Sequence, residues 1–433
     1  MWSYLPVRTV ACALWIGAAA SALCIAGPLW GAEPRGDASA DKALLHPYPG
    51  DANDPWNRAH ETLFVRQAAD GSRHAHTTDP LLYHGGTYLL EGETRHRALS
   101  VLDELLAAPD RISAAHPLPQ LLLQRDLWAA FDYVAWYPDD WVFKSKHEPA
   151  AIALRERLAK AIGRLALPER EIAALPDNYR LAVQSKEFSA AHDPAHPERP
   201  FLPADLWDEA GPWVRFHEIT AMPMAQKHFA GCGGRAAHPI FMRLPGERTV
   251  TERYLQDLKP GAVEQFPTGT MVAMVRRALA VDRHAKVRVT PITELVQIRV
   301  YRRIPAGREA NLKGDFGEQD VYEFILDRQK LIAGQHGLRA VGPDEPFATF
   351  ERDGQDPFAP RARPAEPITQ LKSCIECHQA PGIHSVLSMQ RGLKRPDNKV
   401  FRTFTWEVES RYTTKAKVRQ FDWGLLQGLL EAR

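Results

Sequence analysis

The hydrophobic period of this chain changes partway along it, and that change limits the folds open to it. Between Trp56 and about Leu167 apolar residues recur at helical spacing. Leu99, Leu102, Leu105 and Leu106 share one face, Leu121 to Tyr137 carries a second stripe with Trp128, Phe131 and Trp136, and Ala151 to Leu165 continues it. From Gly269 onward the period shortens. Gly269 to Asp282 and Lys286 to Arg303 are rich in β-branched residues and are joined by Arg283-His284-Ala285, which predicts a long hairpin. Val296, Ile298 and Val300 alternate there with Gln297 and Arg299, and Val321 to Leu326 reads as a further strand. Tyr179 to Trp213, broken by Pro and His, predicts a loop-rich connection, and Thr413 to Ala432 an amphipathic helix. The expected fold class is α+β: a linker over 33–55, a mainly helical domain over 56–210, a β-rich domain over 211–341, a linker over 342–367 and a C-terminal segment over 368–433.

Charge adds little to this. The chain has 433 residues, with 54 Lys and Arg against 53 Asp and Glu, so no overall field would draw it to nucleic acid or to an anionic membrane. The N-terminus is more informative. Arg8 precedes an uncharged stretch from Thr9 to Ala32, the pattern of a secretory signal over 1–32. The stretch is also long enough for a membrane anchor, although Gly27-Pro28 interrupts it and favours cleavage. On either reading the body of the protein lies outside the cytoplasm, in a periplasmic or otherwise exported location. Cys24 follows Leu23, where lipid attachment would call for a small residue.

Of five cysteines, Cys12 and Cys24 belong to the export segment, leaving Cys232, Cys374 and Cys377. Three thiols cannot all pair as disulfides in an oxidising compartment. Cys374-Ile375-Glu376-Cys377-His378 resolves two of them. Two thiols at this spacing match the two vinyl groups of haem, and the adjacent His378 is held beneath the iron as the proximal axial ligand. A zinc ribbon would need a second cysteine pair, and a thioredoxin-type disulfide would need a strand–helix setting that is missing here. The expected cofactor is one covalent haem c, with Cys374 and Cys377 as thioethers and His378 on the iron.

For the other face of the iron the nearby candidates are His384 and Met389. Extended chain covers at most about 3.5 Å per residue, so the path round the porphyrin edge is marginal for His384 and open to Met389. A Met packed in a core is the alternative reading of Met389, and a ligand from the β-rich middle, or none, stays open. A second cluster, His217, Met222, Met224, His228, Cys232 and His238, has the composition of a copper or zinc site but no recognisable spacing, and reads as a His-rich loop near a packed Cys.

The motif resembles c-type cytochromes. In arrangement, the C-terminal half resembles cytochrome c′-beta and its hydroxylamine-oxidising relatives, which place the haem motif after a β-rich fold and start a strand with Phe-Pro-x-Gly-Thr, here Phe266-Pro267-Thr268-Gly269-Thr270. The resemblance implies a similar β-rich fold and an open or apolar distal pocket. Met274 stands where the lysine that cross-links haem would fall, so hydroxylamine oxidation is not implied. The leading expectation is an exported mono-haem protein that passes single electrons to a redox partner protein. The alternative is a haem enzyme or small-gas binder acting on a small nitrogen species or peroxide, and a third reading makes the haem structural.

Overall fold

The computed structural model describes residues 45–67, 73–74, 88–107, 116–135, 141–218, 228, 233–258, 264–305, 317–347, 368–378, 380–387 and 401–432. The segment 1–32 expected to direct export, Met222, Met224, Cys232 and Met389 lie outside them. Both helices and an antiparallel sheet are present, which makes the chain α+β. Among the described residues no helix is long and apolar enough to cross a membrane.

The first part is helical: α1 (Pro55–Phe64), α2 (Gly92–Ala107), α3 (Pro117–Ala135), α4 (Trp141–Arg164), α5 (Glu169–Ala173) and α6 (Asn178–Ser185). Pro117 and Pro119 occupy the first turn of α3, where proline is tolerated because those amides lack helical partners. The periodicity of α3 suggests one buried stripe. Instead nearly every residue from Leu118 to Ala135 is buried, including Gln120, Gln124, Arg125, Asp126 and Asp132.

Those polar groups are each matched by a partner on another segment. Gln124 brackets the peptide of Val281, donating to its carbonyl at 2.8 Å and accepting from its N–H at 3.0 Å. Asp126 takes a two-pronged ion pair from Arg328 at 2.6 and 2.7 Å, and Tyr48 donates to the same carboxylate. Arg125 grips Glu294 through two bonds of 3.1 Å, and Arg276 adds a third at 2.9 Å. Asp132 meets Arg235 at 2.6 Å and Lys417 at 2.9 Å.

The sheet strands are β1 (Val214–Glu218), β2 (Ile240–Arg243), β3 (Met271–Val281), β4 (Val287–Arg303), β5 (Glu318–Leu326), β6 (Leu338–Ala340) and β7 (Phe401–Thr403). They lie in the order β7-β1-β2-β3-β4-β5-β6, with the short strand Ala236–Ala237 also on β3. The predicted hairpin is β3–β4. Its tip is tied by Asp282, which accepts from the N–H groups of His284 and Lys286 at 2.8 and 2.9 Å. Its far end, Ala278 to Val281 with Val287 and Ile292, shares one core with the helices α1 to α4.

Four further helices complete the frame relevant here: α7 (Arg248–Asp257), α8 (Arg328–Ile332), α9 (Gln370–Cys377) and α10 (Ile383–Leu387). The C-terminal stretch forms two helices, α11 (Trp406–Val418) and α12 (Phe421–Glu431), where the sequence suggests one. The chain breaks at Gln420, whose backbone is extended. That break lets Asp422 turn back onto the buried Lys417 ammonium, which also bonds Asp132 and the Gly233 carbonyl. Trp423 then packs on Trp128 in the helical core.

Burial alone would raise the Asp126 carboxyl, but Arg328 and His60 hold it well below the usual carboxylate range. Because its pKa is depressed in the folded chain, its contribution is fully present above the unfolded value of about 3.9 and is lost as pH falls below it. Asp126→Asn leaves Arg328 buried without its counter-ion. The expected cost is about 3–5 kcal/mol in urea unfolding at pH 7. The variant should also lose the part of the acid destabilisation below about pH 4 that Asp126 supplies.

Candidate functional site

Pairing in the sheet sorts β3, β4 and β5 into two faces. Met274, Gln297 and Glu323 stand opposite one another across the three strands, as do Val272, Arg299 and Val321. The other face, with Ala273, Val275, Val296, Ile298 and Phe324, is covered by α6 and the loop that follows it. In β4 the Gln297–Arg299 side of such an alternation would ordinarily face water. Here both residues are buried, because the segment bearing the Cys374–His378 motif lies over them.

Local interactions explain why that segment becomes a helix at this place. Thr369 caps α9, its hydroxyl accepting from the N–H of Lys372 at 3.3 Å. Just before it, Ile368–Thr369 pairs antiparallel with Pro346–Phe347. Gln370 then anchors the first turn, its N–H on the Glu345 carbonyl at 2.9 Å and its side chain on Glu323 at 2.8 Å. One turn later the Cys374 thiol donates to Glu323 at 3.1 Å and accepts from Gln297 at 3.3 Å. Arg299 donates to the Cys374 carbonyl, also at 3.3 Å. Cys377 ends α9 and His378 caps it, with its carbonyl held by Gln319 at 3.0 Å.

The His378 ring is oriented by a second segment. Its Nδ1 lies 2.7 Å from the carbonyl oxygen of Ser385. A carbonyl only accepts, so Nδ1 carries the proton and Nε2 has the lone pair. The two ring nitrogens point in diverging directions, so the backbone of α10, which includes His384, lies behind the ring with respect to Nε2. Ser385 is buried, and its hydroxyl is hydrogen-bonded to that of Tyr301 on β4. Gln265 clamps the loop before α10, accepting from Ile383 N–H at 2.7 Å and donating to the Pro381 carbonyl at 3.2 Å. That clamp needs Gly382, which has φ +54° and would place a Cβ 2.1 Å from Gln265 Oε1.

Two further histidines complete the site. The ring of His228 lies 6.1 Å from that of His378, centre to centre, with the planes inclined by only 22°. His238, between Ala236–Ala237 and β2, lies 6.2 Å beyond His228. It is buried, against the backbone of Ala236. Burial, with Arg299 and Arg276 nearby, lowers the His228 imidazole to about 4, and burial with Arg276 holds His238 well below its usual range. Both rings are therefore neutral at pH 7, as metal ligation requires. Burial raises the Glu323 carboxyl, with its hydrogen-bonding neighbours opposing the shift.

The His-rich cluster suggested by the sequence is thus divided. His217 lies on the opposite side of β1, its ring against Tyr412 and Phe404, while His228 and His238 are drawn toward His378. Among the described residues no three His, Cys, Asp or Glu side chains converge as a self-sufficient metal site. Met274, at the position of the cross-linking lysine in the resemblance noted above, lies on the motif's side of the sheet and packs in one apolar cluster with Ile240, Leu295 and Ile383. A cavity of about 430 Å³ bordered by His192, Trp213, Gly269 and Met271 touches none of the motif residues.

Sequence reasoning reaches Cys374, Cys377 and His378 but passes over Gln265, Gln297, Arg299, Tyr301, Glu323 and Ser385. For Gln297, Arg299, Tyr301 and Glu323 the available signal was polar residues at regular positions in apolar strands, whereas Gln265 and Ser385 lie outside the strands. No family model, no curated protein and no solved structure matches the chain. Its function has to be argued from this geometry. If Gly382 sets the orientation of His378 through Gln265 and Ser385, Gly382→Ala should cost about 1–3 kcal/mol in chemical denaturation.

Proposed function

We propose that this chain is an exported mono-haem c-type protein that passes single electrons to and from a redox partner protein. The observation that carries the reading is the hydrogen bond from His378 Nδ1 to the Ser385 carbonyl, in a His that directly follows Cys374-x-x-Cys377. A carbonyl behind the distant ring nitrogen is the usual way to orient a metal-bound imidazole and raise its basicity.

The residues present fit the group. Cys374 and Cys377 would form the thioethers and His378 Nε2 would bind the iron. When bound, haem supplies a couple between ferric and ferrous iron that changes by one electron. The chain does the rest. Gln265 and Gly382 fix the loop that holds the Ser385 carbonyl, and Tyr301 ties that loop to the sheet. Ile383, Met274 and Leu295 form an apolar wall that excludes water and so influences the potential. Arg299 and Arg276 lie near His228, and positive charge on that side of the site would favour the reduced state of a bound haem. Export accords with the reading, because haem is attached to reduced cysteines outside the cytoplasmic membrane.

The test is to produce the full chain with its N-terminal segment in a bacterium that carries haem-attachment machinery. The exported protein should keep a haem stain after denaturing electrophoresis, and its intact mass should rise by one haem. Cys374→Ala combined with Cys377→Ala should lose both signals. A wild-type mass without haem would overturn the proposal.

A further inference from the structure

We propose that His228 is the second axial ligand of the iron, so that the haem is held between His228 and His378. This rests on the haem reading given above and identifies what occupies the far face of the same site.

The argument is geometric. A metal–imidazole bond is about 2.0 Å long and the ring centre lies about 1.1 Å behind the ligating nitrogen, so two imidazoles across one metal ion stand about 6.2 Å apart. His228 and His378 stand 6.1 Å apart. With Nδ1 of His378 committed to the Ser385 carbonyl, the nitrogen left to bind is Nε2, which faces away from α10. His384 belongs to α10 and so to the segment behind His378. His228 comes instead from a different part of the chain, between β1 and β2.

The surroundings of His228 agree. Arg276 and Arg299 lie near it, and the His238 ring stands 6.2 Å away, centre to centre. Arg276 is itself fixed by Glu294, which Arg125 of α3 holds, so the far side of the site is built on rigid elements. A coordinated His228 leaves no open position for a diatomic gas or a peroxide. The site then suits electron transfer and not small-molecule chemistry, because the iron changes charge without exchanging a ligand.

The test uses the purified full-length holoprotein, its covalent haem verified by mass. The wild type should give six-coordinate low-spin spectra in both redox states and should not bind carbon monoxide. Near-infrared magnetic circular dichroism should place the charge-transfer band in the range of two imidazoles, and electron paramagnetic resonance should show the rhombic signal of near-parallel rings. His228→Gly should keep its haem mass, turn high-spin and bind one equivalent of carbon monoxide, and added imidazole should restore the low-spin spectrum. His384→Ala and Met389→Ala should leave the spectra unchanged.

A wild type with covalent haem but a high-spin, gas-binding iron would overturn the assignment while leaving haem attachment intact. So would an imidazole–thioether band, or low-spin spectra lost in His384→Ala and kept in His228→Gly. A wild type without haem would instead remove the reading on which the assignment rests. Should His228→Gly fail to accumulate, the band position and the resonance signal of the wild type still decide between two histidines and a histidine with a methionine.

Discussion

Helix α3 is buried on nearly every side, yet it carries Gln124, Arg125, Asp126 and Asp132. A helix of that kind can exist only if each of these groups meets a partner as it leaves water, since an unpaired buried charge costs several kcal/mol. The partners come from five separate places in the chain: the Val281 peptide at the tip of the β3–β4 hairpin, Glu294 within β4, Arg328 after β5, Arg235 between β1 and β2, and Lys417 in α11. Such pairs add little net stability compared with apolar side chains of the same volume, but they discriminate strongly between one arrangement and its neighbours. Shifting α3 by one residue would leave several of them unmatched together. The register between the helices and the sheet is held in this way.

The same network reaches the candidate site. Arg125 holds Glu294, Glu294 holds Arg276, and Arg276 sits close enough to His228 and His238 to oppose their protonation. On the other side of the site, Tyr301 of β4 holds Ser385, whose carbonyl orients His378. β4 therefore acts on both histidines: through Glu294 on the His228 side, and through Gln297, Arg299 and Tyr301 on the side of the motif. This explains a strand that is buried on both faces and still has polar residues at alternate positions. One face closes an apolar core, and the other supplies the donors and acceptors that a short, cysteine-bearing helix needs to lie flat on a sheet.

How much of this could be read from the sequence depends on range. The hairpin, the strand at Val321–Leu326 and the helices of the first part are visible because periodicity is local and follows from the backbone geometry of each element. The single helix suggested for Thr413–Ala432 divides because Lys417 is drawn to Asp132 and Gly233, far away in the chain, and Asp422 must turn to meet it. The full burial of α3 escaped notice for a similar reason. Its charged residues look like a solvent face until their partners are known.

The sequence by itself determined the pair of thiols and the adjacent imidazole, because the spacing within Cys374-x-x-Cys377-His378 is set by covalent geometry that no fold alters. It determined too that a hairpin of alternating residues would lie beneath whatever covered it. Only the tertiary structure decided which imidazole faces His378. His217, His228 and His238 are equivalent in composition and close in sequence, but β1 turns the His217 ring to Tyr412 and Phe404, while the His228 ring lies beside that of His378. Local preference cannot distinguish three histidines within one short stretch of chain. Strand pairing settles it for His217, because it assigns each residue of a strand to one face and leaves no intermediate position.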